Sequence, residues 1–261
     1  MKIALIGNGA IAKLIAQFCA QHPDRFTIAA ALGLASDTAS VGKHPIVQNL
    51  KDLLAYKPEL VIECAGHSAV AAYAAPVLEA GVDLVIVSTG SLADATLWEK
   101  VRAAALHSKA RLKMPAGALP GIDALAAGKM GGLSKVTLRS SKNPRAWKGT
   151  PAEEKFDLDA ITAPTVIFSG NARAAALTFP KNANIAATAA LAGLGFEDTT
   201  VELTADPGVS QNVHRLDAEG VFGSMSLVIH ANLSPDNPKT SHMAALSIIR
   251  LLENETAAIV I

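Results

Sequence analysis

Apolar positions along the chain fall into two alternating patterns. Lys2–Ile6 is a short apolar run of strand length, and after Gly7-Asn8-Gly9 the apolar residues Ile11, Leu14, Ile15 and Phe18 recur at helical spacing. The alternation continues, with strands predicted at 26–32, 60–64, 84–87 and 112–114. Helices are predicted at 46–54, at 68–79 with Val70, Tyr73, Ala74 and Val77 turned to a core, and at 93–107. Short apolar strands that alternate with helices predict right-handed βαβ units and a parallel sheet. In such a sheet ligands bind outside the carboxyl ends of the strands.

From Pro115 the pattern changes. Residues 115–132 combine a turn, a short helix at 122–127 and a glycine-rich exit, which fits a crossover between domains. Period-two alternation then appears at 135–139, 201–205, 213–218 and 224–230, predicting a second sheet, antiparallel in places, with one face packed. Helices at 172–176 and 184–191 can cover that face, and Asn237–Ser241 reads as a polar loop. The last segment, 241–252, is amphipathic through Met243, Leu246, Ile248, Ile249 and Leu252, and is expected to return to the first domain. The fold class is therefore α/β: a Rossmann-type dinucleotide-binding domain with a mainly parallel sheet over 1–114, a second α+β domain over 115–236, and a returning helix in 237–261.

The first strand-to-helix turn, Gly7-Asn8-Gly9-Ala10-Ile11-Ala12, is a G-x-G-x-x-A form of the dinucleotide fingerprint. Gly7 permits the tight turn, Gly9 close approach of a pyrophosphate to the backbone, and Ala12 close helix–strand packing. Gly7, Gly9, Ala10 and Ile11, whose N–H groups open the helix toward an anion, are the expected cofactor contacts. The other strand ends to watch are Ala65-Gly66-His67 and Ser88-Thr89-Gly90-Ser91, where Gly66 admits a ligand and the serines offer hydroxyls; Ser91 reads equally as a helix N-cap. The carboxylate that usually binds the adenosine ribose about 20 residues beyond the fingerprint is missing: Ala31-Leu32-Gly33-Leu34 stand there, Asp37 is late, and only Lys43 and His44 offer positive charge nearby. The cofactor is thus read as NAD or NADP.

Composition narrows the alternatives. The chain of 261 residues is half apolar and 4% aromatic, with 23 basic and 23 acidic side chains. No net positive field attracts nucleic acid or an anionic membrane, and no long apolar span or leader is read, so a cytoplasmic location is expected. Cys19 and Cys64 read as small core residues in a reducing compartment. No metal-ligand spacing, nucleophile elbow or Walker lysine is found. Among the seven histidines, His67 at a strand end and His214 after the polar run 206–213 are the proton-handling candidates. Lys142-Asn143-Pro144, Asn171-Ala172-Arg173, Pro180–Asn184 and Asn237–Ser241 are polar groups of the kind that bind a small dianion.

Five stretches in order, IGNGAIA at 6–12, GALPGIDAL at 117–125, GNARAAALTFPKNANIAAT at 170–188, DPGVSQNVH at 206–214 and NPKTS at 237–241, resemble the L-aspartate dehydrogenase family over essentially the whole length. The resemblance implies a two-domain homo-oligomeric enzyme that oxidises L-aspartate with NAD or NADP. Its product is iminoaspartate, which hydrolyses to oxaloacetate and ammonia or feeds quinolinate and nicotinamide-cofactor synthesis. It places the active-site histidine on His214 and further cofactor contacts on Ala118 and Asn184. Where the family commonly has SGAIGG, this chain has Ala116-Gly117-Ala118-Leu119-Pro120-Gly121, which removes a hydroxyl and stiffens the turn. Arg173, Lys239 and Thr240 are expected to bind the substrate carboxylates, since a guanidinium fork selects a carboxylate by geometry as well as by charge. The alternatives are an oxidoreductase of another small amino, keto or semialdehyde acid, and a cofactor-sensing protein without catalysis.

Overall fold

The computed structural model describes residues 1–33, 44–180, 183–234 and 237–260, the side chains of 233–240 apart. Two compact units are present: residues 1–91, 95–115 and 245–261 form one, and 92–94 with 116–244 the other.

The first unit is built on a six-stranded parallel sheet. Its strands are β1 (Lys2–Ile6), β2 (Thr27–Leu32), β3 (Ile46–Val47), β4 (Leu60–Glu63), β5 (Asp83–Ile86) and β6 (Leu112–Lys113), in the order β3-β2-β1-β4-β5-β6. The helices α1 (Ala10–Gln21), α2 (Leu50–Ala55), α3 (His67–Glu79) and α4 (Ala95–Ser108) connect them. Strands of such a sheet are covered on both faces, which is why β1 and β4 are apolar runs without alternation; Ile3, Leu5, Leu60 and Ile62 are fully buried. Strand order reverses at β1, so its carboxyl end opens onto the crevice where this doubly wound fold binds nucleotides. The helix predicted at 46–54 divides in the structure. Ile46 and Val47 pair with Ala31 and Leu32 as edge strand β3, and α2 starts only where the Asn49 side chain accepts from Asp52 N at 2.9 Å.

The second unit has a five-stranded mixed sheet. After α5 (Ile122–Gly131) come β7 (Leu133–Lys142), β8 (Thr165–Asn171), α6 (Ala172–Thr178), α7 (Ala183–Ala192), the single turn α8 (Gly195–Asp198), β9 (Thr199–Ala205), β10 (Asn212–Gly220) and β11 (Gly223–Ala231). The order is β11-β10-β7-β9-β8, with β7 and β9 parallel and the other pairs antiparallel. Along β10 the alternation is plain: His214, Leu216 and Ala218 are buried, and Arg215 between them is exposed. Alanines on α6 and α7, among them Ala172, Ala175, Ala187 and Ala190, are also buried; small side chains let the helix backbones approach their neighbours closely. Edge strand β8 was not foreseen, because its sequence TVIFSGN lacks clean alternation and its pairing to β9 slips between Val166 and Phe168.

Two short strands, β12 (Leu233–Ser234) and β13 (Asn237–Ser241), pair antiparallel, so the segment read as a polar loop is a strand. The final helix α9 (His242–Thr256) sends Ile248 and Leu252 into the core of the first unit, beside Ile3, Ile15 and Phe26. Arg25 grips Glu253 with two hydrogen bonds of 3.0 and 2.8 Å, and Lys113 lies between Asp83 at 3.0 Å and Glu255 at 2.6 Å. Leu252→Ala is expected to lower stability by about 2–5 kcal/mol, read as a fall in the urea midpoint, because a fully buried leucine leaves a cavity in a closed core.

Candidate active site

At the carboxyl end of β1 the backbone turns sharply. Gly7 has φ +106° and donates its N–H to Leu32 O at 2.8 Å; a Cβ here would sit 3.0 Å from Ala65 Cβ and 3.1 Å from Cys64 O. Gly9 is the N-cap of α1, no side chain caps the helix, and a Cβ on Gly9 would meet nothing within 4 Å. The helix therefore starts with free N–H groups beside open space. That space belongs to a cavity of about 520 Å³ lined by Gly7, Asn8, Gly9, Leu32, Gly33 and Ala65, among others. Ala10 and Ile11 open the helix half-buried, and Ala12 is fully buried. A diphosphate fits this arrangement, since it needs unspent amide donors, room and no Cβ. Gly7→Ala is expected to weaken cofactor binding about tenfold or more in a fluorescence titration, because the added Cβ is strained at positive φ and meets the β4 turn. Asp37 and Lys43 lie outside the described residues.

The neighbouring strand ends are tied together by a residue that sequence reading passed over. Glu63, 1% exposed at the end of β4, accepts through Oε1 from Ala65 N and Gly66 N at 2.8 Å each and from Ser88 Oγ at 2.9 Å, and through Oε2 from Ser88 N at 3.1 Å. The signal for it in the sequence is a carboxylate closing an otherwise apolar strand, two residues before Ala65-Gly66. Gly66, with φ +116°, then starts α3, and His67 follows half-buried. Ser88 spends its hydroxyl on Glu63, and Ser91 donates its own to Ser88 O at 2.8 Å inside the 3₁₀ turn Thr89–Ala93. Ser91 is thus not the N-cap of a following helix.

In the second unit, β7 and β10 bring three polar side chains onto one face of the sheet. His214 stands opposite Ser140 in the antiparallel register, its Nδ1 2.9 Å from Ser140 Oγ, and is 3% exposed. Lys142 lies two residues beyond Ser140 and so on the same face of β7, with its Nζ 5.5 Å from the centre of the Trp147 ring. Trp147 is fully buried and donates Nε1–H to Thr204 O at 3.2 Å, with Phe179 edge-on against it. Burial, and after it the charge of Lys142, depresses the His214 imidazole from 6.5 to about 4. Burial likewise pulls Lys142 from 10.5 down to about 8. At neutral pH the cluster therefore holds an uncharged imidazole, able to accept a hydrogen bond, beside a lysine that loses its proton with little difficulty.

The C-terminal family of aspartate dehydrogenase matches residues 123–255, and the homoserine dehydrogenase NAD-binding domain family matches residues 7–115. An L-aspartate dehydrogenase of Ralstonia nicotianae is 42% identical over 99% of each chain. The chain belongs to the aspartate dehydrogenase family. Among solved structures, the aspartate dehydrogenase of Thermotoga maritima superposes with a TM-score of 0.79 at 26% identity, covering 100% of this chain and 99% of that one. An amine dehydrogenase from Mycobacterium smegmatis shares the fold, with a TM-score of 0.57 at 13% identity over 99% of this chain and 93% of its own.

The other expected contacts of this aspartate dehydrogenase family member fall in varied settings. Ala118 sits in a tight turn closed by Leu119 N and Ala116 O at 3.3 Å, next to Gly117 at φ +65°. Asn184 is exposed in the first turn of α7. Arg173 is already engaged: its guanidinium donates to Glu197 and to Ala93 O, and lies 5.0 Å over the Phe196 ring. To serve a substrate carboxylate it would have to exchange those bonds. Lys239 and Thr240 are on β13, where only the backbone is described. Among the described residues no cluster of three His, Cys, Asp or Glu is placed to hold a metal, and no helix is long and apolar enough to cross a membrane.

Proposed function

We propose that this chain is an NAD(P)-dependent L-aspartate dehydrogenase. It oxidises L-aspartate to iminoaspartate, which is hydrolysed to oxaloacetate and ammonia or passed to quinolinate and nicotinamide-cofactor synthesis. The observation that carries the reading is the whole-length relationship to L-aspartate dehydrogenases in a chain that also has the uncapped Gly7–Gly9 turn and the buried His214 cluster. When bound, the cofactor supplies the carbon that accepts hydride. Gly7, Gly9, Ala10 and Ile11 would hold its pyrophosphate by backbone amides with room left by Gly66, and the family resemblance adds Ala118 and Asn184 as cofactor contacts. His214, uncharged and fixed by Ser140, takes a hydrogen bond from the substrate or from the water that attacks the imine.

The test is growth of reduced-cofactor absorbance with L-aspartate and either nucleotide, and its loss with oxaloacetate and ammonia. Folded protein that is inactive with both cofactors over a broad pH range removes the function. Turnover of another small amino or keto acid in a substrate panel moves the specificity, and cofactor binding without any turnover leaves a sensing role.

A further inference from the structure

Resting on the aspartate dehydrogenase reading, we propose that Lys142 is the catalytic base of the second unit, taking the proton from the substrate ammonium while His214 stays uncharged beside it. Oxidation at Cα requires a free amine, because hydride leaves only as the nitrogen lone pair forms the carbon–nitrogen double bond. One proton moves from the α-ammonium to the Lys142 amine, giving substrate amine and Lys142 ammonium. The Cα–H bond then breaks with its electron pair going to the oxidised cofactor, and the iminium ion forms. In the reverse direction the Lys142 ammonium returns that proton to the product amine.

Geometry supplies the argument. Lys142 is the last residue of β7, so its side chain leaves the sheet at the carboxyl end, on the same face as Ser140 and next to the strand that carries His214. Its flank is the fully buried Trp147, and the β9 residue in register with it is Ala205. Among the described residues, the charged or titratable groups on the elements beside Lys142 include His214 on β10, Arg145 in the exposed part of the 3₁₀ turn Pro144–Trp147, and Asp206 after β9. Asp206 N donates to Lys142 O at 2.8 Å, while its carboxylate accepts from Gly208 N at 2.8 Å. Beyond the strand end a polar cavity of about 570 Å³ is lined by Asn143, Arg145, Asp159, Pro207 and Ser210, among others. A lysine near 8 and a histidine near 4 divide the work by environment. The lysine titrates in the working range, and the histidine orients without charging.

The experiment combines a pH profile with a cofactor-free titration. For wild type, kcat/KM on L-aspartate should rise with pH through an inflection near 8 and then level, because the base must be neutral. Lys142→Met and Lys142→Arg should each lose about 10²–10³-fold in kcat with the inflection gone, the arginine variant retaining charge and bulk. In the apoprotein, the NMR titration of the His214 ring should move to higher pH in Lys142→Met, since one neighbouring positive charge is removed, whereas a lysine that only packs at a distance leaves it unchanged. Alkylating Lys142→Cys with bromoethylamine should restore turnover with the inflection displaced downward. An inflection that persists in either substitution, activity within tenfold of wild type, or an unmoved His214 titration overturns the proposal alone. Wild-type protein inactive on L-aspartate overturns the substrate reading and this proposal together.

Discussion

His214→Ala is expected to lower kcat on L-aspartate by roughly 10²–10⁴-fold while cofactor affinity changes little. The cofactor turn around Gly7 and Gly9 belongs to the first unit, and His214 to the second. Steady-state kinetics beside a fluorescence titration of the reduced cofactor separate the two. Near-native kcat in the variant would move the chemistry elsewhere. The same residue gives stability a pH dependence with a definite sign. The folded imidazole titrates near 4 and the unfolded one near 6.5, so between those values the unfolded chain binds the extra proton and folding weakens as pH falls. The loss is on the order of 2 kcal/mol by about pH 5. Urea midpoints of wild type and His214→Gln should therefore converge on acidification, because the amide has no proton to bind.

Glu63→Ala should both destabilise the first unit and weaken cofactor binding. It leaves the part-exposed N–H groups of Ala65 and Gly66, and the buried N–H and hydroxyl of Ser88, without their acceptor. Each buried donor left unsatisfied costs about 1–3 kcal/mol, so with the two Ser88 donors orphaned and water reaching the other two, a total of roughly 2–4 kcal/mol is expected in urea denaturation. Cofactor affinity should fall as well, because the positive φ of Gly66 is held by the same carboxylate. Glu63→Gln keeps one acceptor oxygen but turns an NH₂ toward a donor, and should lie between the two. A loss below about 1 kcal/mol in Glu63→Ala would mean that water replaces the carboxylate.

Much of the fold was legible because its causes are local. Parallel strands covered on both faces must be continuous apolar runs, and half-covered strands must alternate, so β1, β4, β5 and β10 announce themselves. Ile46 and Val47 were misread as the start of a helix because two β-branched or apolar residues before a cap look the same in either state; only pairing with β2 decides. Strand β8 is likewise decided by a partner distant in sequence, and β13 by its pairing with β12 rather than by its own residues.

For the site the division is similar. Residue type at short spacing is enough to read the glycine turn and the α/β class from the chain, while the choice of His214 over His67 came from the family resemblance. Tertiary structure alone decided that Glu63 is a buried clasp, that Arg173 is bonded to Glu197, and that Lys142, Ser140 and His214 share one face of one sheet. The physical reason is that burial and register act between strands far apart in the chain, and it is burial that moves a lysine and a histidine to new protonation ranges.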